Sequence, residues 1–256
     1  ADRLGLAGRR PLVPVYEEPV YKLAVYVPPS HLDAVRGAVF AAGAGHIGKY
    51  SHCGFSVRGE GTFLPEEGAN PFLGEAGKLS REEELRFETI VPAGVKDKVL
   101  SAMLAAHPYE EVAYDLFRLE SKGAVIGFGR VGELPEPLEL AAFAERAKKA
   151  FGVPMLRYAG DPQRLVRRVA VLGGSGRSYM NAALAAGADV YVTGDVDHHT
   201  AHDALAAGMA IVDPGHHIEQ VMKEAVAAKL AAHAASAGWD IGVYASPVST
   251  EPFRFA

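Results

Sequence analysis

A histidine and a glutamate stand three residues apart in Asp213-Pro214-Gly215-His216-His217-Ile218-Glu219, directly after the apolar run Met209-Ala210-Ile211-Val212. The run reads as a strand that ends in a Pro-Gly turn, and His216 then opens a helix expected to reach about Ser236. Side chains at i and i+3 share a helix face, so His216 and Glu219 can address one metal ion. Imidazole plus carboxylate suits zinc, manganese or iron without choosing among them. A catalytic zinc takes about three protein ligands plus water, so these two residues form only part of a site.

A second group of chemically able residues follows another strand. Thr193-Gly194-Asp195 closes the run Asp189–Thr193, and His198, His199, His202 and Asp203 come next. His198 and His202 are spaced i, i+4, as are His199 and Asp203, so a self-contained metal site is one reading. Asp195 as a helix cap beside solvated histidines is another. A third reading uses the neighbouring strand. If both strands lie in one parallel sheet, their carboxyl ends are adjacent, and Asp195 and His199 can support His216 or move protons.

Gly173-Gly174-Ser175-Gly176 ends the strand Arg168–Leu172 and leads into a helix from about Ser178 to Ala186. Such a turn can hold an anion on backbone N–H groups, which makes Gly174, Ser175 and Gly176 candidate substrate contacts. The alternative reading is that the glycines serve a tight strand-to-helix turn. The segment is neither G-x-G-x-x-G nor followed by G-K-[ST], so dinucleotide and P-loop readings fail. His107-Pro108-Tyr109-Glu110-Glu111 is read chiefly as a structural turn, because proline disfavours helix in the residue before it. His46, His52 and Cys53 lack a recognisable third group for nucleophilic catalysis.

The elements that must position these residues occupy 256 residues, enough for one large or two ordinary domains. An apolar fraction of 49% with 22% charged residues is that of a soluble globular chain. A net charge of −5 without a polybasic run gives no nucleic-acid or anionic-membrane signal. One cysteine excludes an internal disulfide and fits the cytoplasm. No apolar run approaches the roughly 20 residues of a membrane helix. The first residue is Ala rather than Met, which leads to the expectation of a processed or partial form.

An internal echo organises the first half. Val27-Pro28 through Ala42 matches Val91-Pro92 through Ala106, 64 positions later. Each copy follows a strand-like segment, Tyr21–Val27 or Leu85–Val91, and precedes another, near Ser51–Glu60 or Glu111–Leu119. Proline suits a helix start, where its missing N–H is not needed. The pattern is βαβ twice, as in split ferredoxin-like folds. Gly59–Ser80 reads as a long loop between the halves, and Glu120-Ser121-Lys122-Gly123 as a linker. Beyond it, strands at Ala124–Val131, Met155–Tyr158, Arg168–Leu172, Asp189–Thr193, Met209–Val212 and Asp240–Tyr244 alternate with helices at Pro137–Phe151 and Ala201–Ala207. Such alternation predicts a mainly parallel sheet covered on both faces.

Together these segments resemble the GTP cyclohydrolase I type 2 homologue family, also called the Nif-three-like family. The resemblance rests on Arg168–Gly176, Gly187–Asp195, Asp213-Pro214-Gly215-His216, Glu219 and Thr250-Glu251-Pro252-Phe253. Tyr21-Lys22-Leu23, Val27-Pro28 and His107–Asp115 are similar to the CutA-like and PII-like insert of its longer bacterial members.

The resemblance implies an α/β C-terminal lobe, a mainly parallel sheet flanked by helices, carrying a βαββαβ ferredoxin-like insert. The expected division is 1–20 as the tail of an N-terminal lobe, 21–119 as the insert and 120–256 as the C-terminal lobe. The family's N-terminal lobe supplies a His-His pair and an Asp that complete a site for two divalent metals. His216 and Glu219 are the metal ligands that carry over. The implied activity is ring-opening hydrolysis of GTP by metal-activated water; the alternative is a metal-dependent scaffold or regulatory small-molecule binder. Self-association into hexamers, a nucleotide or other small-molecule ligand and a cytoplasmic location are expected, with no membrane partner.

Overall fold

The computed structural model describes residues 1–254 and divides into two compact units, Tyr16–Val125 and Ala1–Val15 with Ile126 onward. The strands β1 (Ala7–Val27) and β4 (Tyr114–Glu139) each begin in one unit and end in the other.

The unit 16–125 has the element order β-α-β-β-α-β. Between β1 and β4 lie α1 (Leu32–Ala41), β2 (Gly54–Phe63), β3 (Ser80–Pro92) and α2 (Lys96–Ala106). β3 pairs antiparallel with both β1 and β2, with Leu23 opposite Thr89 and Phe55 opposite Glu88. The 64-residue echo is a repeat of the core. Leu23 and Phe87, Val27 and Val91, Val35 and Val99, and Val39 and Met103 are four corresponding pairs, and all eight side chains are fully buried in one cluster. In both copies a single 3-10 turn follows the Val-Pro step before the α-helix starts. Each helix buries residues four apart, the spacing that stacks side chains on one face.

Unit 1–15 with 126–254 contains α3 (Leu140–Phe151), β5 (Arg157–Ala159), β6 (Leu165–Ser175), α4 (Met180–Ala185), β7 (Val190–Gly194), α5 (His198–Ala206), β8 (Ala210–Asp213) and α6 (Met222–Ser236). Its strands are ordered β4-β6-β7-β8-β5. Alternate residues face opposite layers. Val190, Val192, Ala210 and Val212 pack with Leu140, Phe143, Ala147 and Phe151 of α3. Tyr191, Ile211 and Ala170 pack with Ala183 of α4 and Ala204 of α5. Helices therefore cover both faces, and the fold is α/β.

The expectation of a mainly parallel sheet is corrected. β6-β7-β8 is parallel, but β4 pairs with β6, and β5 with β8, antiparallel. Strand–helix alternation implies parallel pairing only when each helix crosses between neighbouring strands. α4 and α5 do so; α3 leads instead to β5 at the far edge.

Three local expectations also change. Glu120–Gly123, expected to be a linker, lies within β4. Asp240–Tyr244, expected to be a strand, has no regular structure. The helix expected from His216 begins as a 3-10 turn, His216–Val221, and becomes α-helical at Met222. No helix among the described residues is long and apolar enough to cross a membrane.

Candidate functional site at the ends of the parallel strands

β6, β7 and β8 end side by side, and the turns that leave them converge. Gly194, the last residue of β7, has no room for a side chain. A Cβ there would stand 2.7 Å from the Gly215 carbonyl carbon and the His216 nitrogen. This close backbone approach sets the turn after β7 against the turn after β8. Asp195 follows in the left-handed region, at φ 58°. For a non-glycine residue that conformation is uncommon and marks sites held by their surroundings.

The result is a hydrogen bond of 2.6 Å between Asp195 Oδ2 and His216 Nδ1. With Nδ1 occupied, the ring turns Nε2 toward Glu219, whose Oε2 lies 3.7 Å away. The 3-10 turn explains this placement, because i and i+3 side chains eclipse in that helix. The Asp195 hydrogen bond is the main cause raising the His216 pKa above its ordinary value, with Asp195 and Glu219 charges adding to it. All three side chains are roughly half exposed.

Gly174 closes the group from the β6 side. It has φ 64°, and a Cβ on it would meet Glu219 Oε1 at 2.6 Å and His216 Nε2 at 3.3 Å. Its carbonyl accepts from the buried Thr193 hydroxyl at 3.2 Å. Ser175 pairs with Gly194 in the β6–β7 ladder. Gly176 is also buried, and its carbonyl accepts from the Tyr191 hydroxyl at 3.0 Å. Burial pushes that phenol up to about 12.

Asp195, His216, Glu219 and Gly174 thus meet at one place. His199 lies on α5, the helix that follows Asp195. It is exposed on the first turn of α5, and among the described residues it makes no hydrogen bond or ion pair with that group. His198 and His202 share its helix, with ring centroids 4.5 Å apart. Asp197, not Asp195, caps α5, accepting from Thr200 N and Thr200 Oγ1, both at 2.9 Å. Among the described residues no three His, Cys, Asp or Glu side chains are grouped to hold a metal ion.

Asp213 is the residue that sequence reasoning passed over. It is 5% exposed. Oδ1 accepts from Gly215 N at 2.9 Å, and Oδ2 accepts from Val196 N at 3.2 Å and from the Arg157 guanidinium. One carboxylate therefore ties together the two turns that carry Asp195 and His216. The signal was present, since Asp at the first position of Asp-Pro-Gly commonly bonds backbone two residues on.

The other candidates lie in the unit 16–125. His107 is a buried staple: Nε2 donates to Tyr26 O at 3.0 Å and Nδ1 accepts from Tyr109 N at 3.1 Å. Tyr109 donates to Glu84 Oε1 at 3.0 Å. His46 is exposed. His52 stacks edgewise on Phe40 and bonds Ser51 through Nδ1, while Cys53 Sγ contacts Ser51 O.

The profile of the DUF34/NIF3 family (NGG1p interacting factor 3) matches residues 1–252. The GTP cyclohydrolase 1 type 2 homolog of Halalkalibacterium halodurans is 52% identical over 255 residues, covering all of this chain and 68% of that protein. The protein of the same name from Bacillus subtilis is 46% identical with the same coverage. The crystal structure of a Bacillus cereus protein related to NIF3 superposes with a TM-score of 0.91 at 48% identity, covering all of this chain and 68% of that one. The chain belongs to the DUF34/NIF3 family.

Proposed function

We propose that this chain carries part of a divalent-metal site and acts as a metal-dependent hydrolase of the GTP cyclohydrolase type. One observation carries the reading: Asp195 occupies His216 Nδ1 and leaves Nε2 facing the Glu219 carboxylate. A carboxylate on the far nitrogen is the usual support of a metal-binding histidine, fixing its tautomer and raising its basicity. The donor set fits zinc, manganese or iron, with His216 and Glu219 as ligands and two ions per complete site. The ion would supply activation of water and stabilisation of developing charge.

The protein's own residues do the remaining work. Asp195 orients His216 through the Nδ1 hydrogen bond and, being half exposed, can itself take or return a proton. The bare backbone at Gly174 lets a substrate or ion approach the pair closely, and Ser175 beside it offers a hydroxyl. Gly176 is assigned to the same turn as a backbone contact, and His199 as a proton-transfer group reaching the site from α5. The names borne by the two bacterial relatives support GTP as the first substrate to try.

The unit 16–125 is read as a CutA-like or PII-like insert of ferredoxin type, on its element order and repeated core. The expected division into 1–20, 21–119 and 120–256 is kept as a proposal on the family resemblance, as is hexameric self-association, and the single cysteine supports a cytoplasmic location.

The test is metal content and GTP turnover of the full-length gene product, with His216→Ala and Glu219→Ala beside it. Each variant should lose metal and turnover together. Equal metal content in all three would overturn the ligand role. Full metal loading without GTP turnover would leave the metal site and overturn the assigned reaction.

A further inference from the structure

The four-residue spacing of His198 and His202 places both on one side of α5, and their ring centroids lie 4.5 Å apart. Both are exposed. We propose that His198 and His202 form a two-imidazole chelate for a borderline transition-metal cation such as Ni²⁺, Cu²⁺ or Zn²⁺, separate from the His216–Glu219 pair.

Imidazole is a preferred ligand for these cations. Two imidazoles at i and i+4 meet one ion without rearranging the backbone, since their Cβ atoms are neighbours on the helix surface. The platform is stiff. Asp197 fixes the helix start through both bonds to Thr200, and Thr200 and Ala204 bury the opposite side. The ring of His199 is 5.7 Å from that of His198, so a further imidazole stands next to the chelating pair. The partial positive charge of a helix start opposes a cation there. The Asp197 carboxylate, which caps that start and pairs with Arg177 at 2.8 Å, offsets it.

Accessible histidines at this spacing would capture metal directly from solvent. The inference does not depend on the hydrolase reading, because neither His198 nor His202 belongs to that group.

The experiment is equilibrium binding of Ni²⁺ to the chain near neutral pH, read by calorimetry, with His198→Ala, His202→Ala, the double variant and His216→Ala in parallel. Both substitutions are on an exposed helix face, and circular dichroism verifies the fold. One ion should bind in the His216→Ala background, and adding His198→Ala or His202→Ala should weaken it by about tenfold or more, the scale on which even supporting residues of metal sites act. His216→Ala should leave that affinity within about twofold. Nickel should also raise the unfolding temperature of the wild type and not of the double variant, because a ligand that binds the native state stabilises it. Absence of binding, unchanged affinity in the double variant, or equal loss in His216→Ala would each overturn the proposal.

Discussion

Asp195 and His216 are 21 positions apart in the chain and share a 2.6 Å hydrogen bond. Two backbone facts hold it: Asp195 in the left-handed conformation, and Gly194 pressed against Gly215 and His216. Because the aspartate stabilises the imidazolium, Asp195→Asn should lower the His216 pKa toward its ordinary value. A proton NMR titration of the His216 ring reads this directly. An unchanged midpoint would mean that the hydrogen bond does not control the ring.

Gly194→Ala should destabilise the protein by about 1–3 kcal/mol, the cost of forcing a methyl group into packed surroundings. The atoms in the way belong to backbone, so no side-chain rotation relieves the contact. Urea unfolding measures the loss. A variant as stable as wild type would show that the two turns can move apart freely.

Asp213→Ala removes the acceptor for Gly215 N, Val196 N and the Arg157 guanidinium at once. Buried N–H groups left without a partner cost about 1–3 kcal/mol each, so the expected loss is about 3 kcal/mol. Hydrogen exchange should speed up at Val196 and Gly215, while amides of α1 and α2 keep their protection. Uniform acceleration throughout the chain would point to general unfolding instead of release of these turns.

His107 predicts a pH dependence of stability. Desolvation by burial is the main cause holding its pKa below 6.5, and Nδ1 must stay unprotonated to accept from Tyr109 N. Above about 6.5 the ring is neutral in both folded and unfolded chains and contributes no pH dependence. Below it the unfolded chain takes the proton first, so stability falls with pH until the depressed folded value is passed. Chemical denaturation midpoints at stepped pH should show this decline, reduced in His107→Ala. Parallel curves for the two proteins would assign the decline to other groups.

Removing the Tyr191 hydroxyl as Tyr191→Phe tests what holds the turn at Gly176. The lost bond to Gly176 O should cost about 0.5–1.5 kcal/mol, the net worth of a typical hydrogen bond. Guanidinium unfolding checks it, and a more stable variant would show that the phenol is retained for another reason.

The strands β6, β7 and β8, the helices between them and the repeated core of the unit 16–125 were legible in the chain before any contact was known. Apolar periodicity carries that information locally. The residues of the echo that coincide in type include Val27 and Val91, Val35 and Val99, and these are among the positions with no solvent exposure. The i, i+3 spacing of His216 and Glu219 was equally local, and a 3-10 turn brings the two together as an α-helix would.

Tertiary structure decided what depends on atoms far apart in the chain. Strand direction outside β6-β7-β8 was of this kind, because a helix between two strands does not say which neighbour the second strand joins. So was the division of labour between two aspartates. Of the readings open for Asp195, the helix cap falls to Asp197 at α5, and Asp195, at a positive φ, meets His216 across the strand ends. Asp213 read as the end of a strand. Only the convergence of two turns on its carboxylate gave it a structural task, and that convergence follows from parallel strands ending at one edge of the sheet.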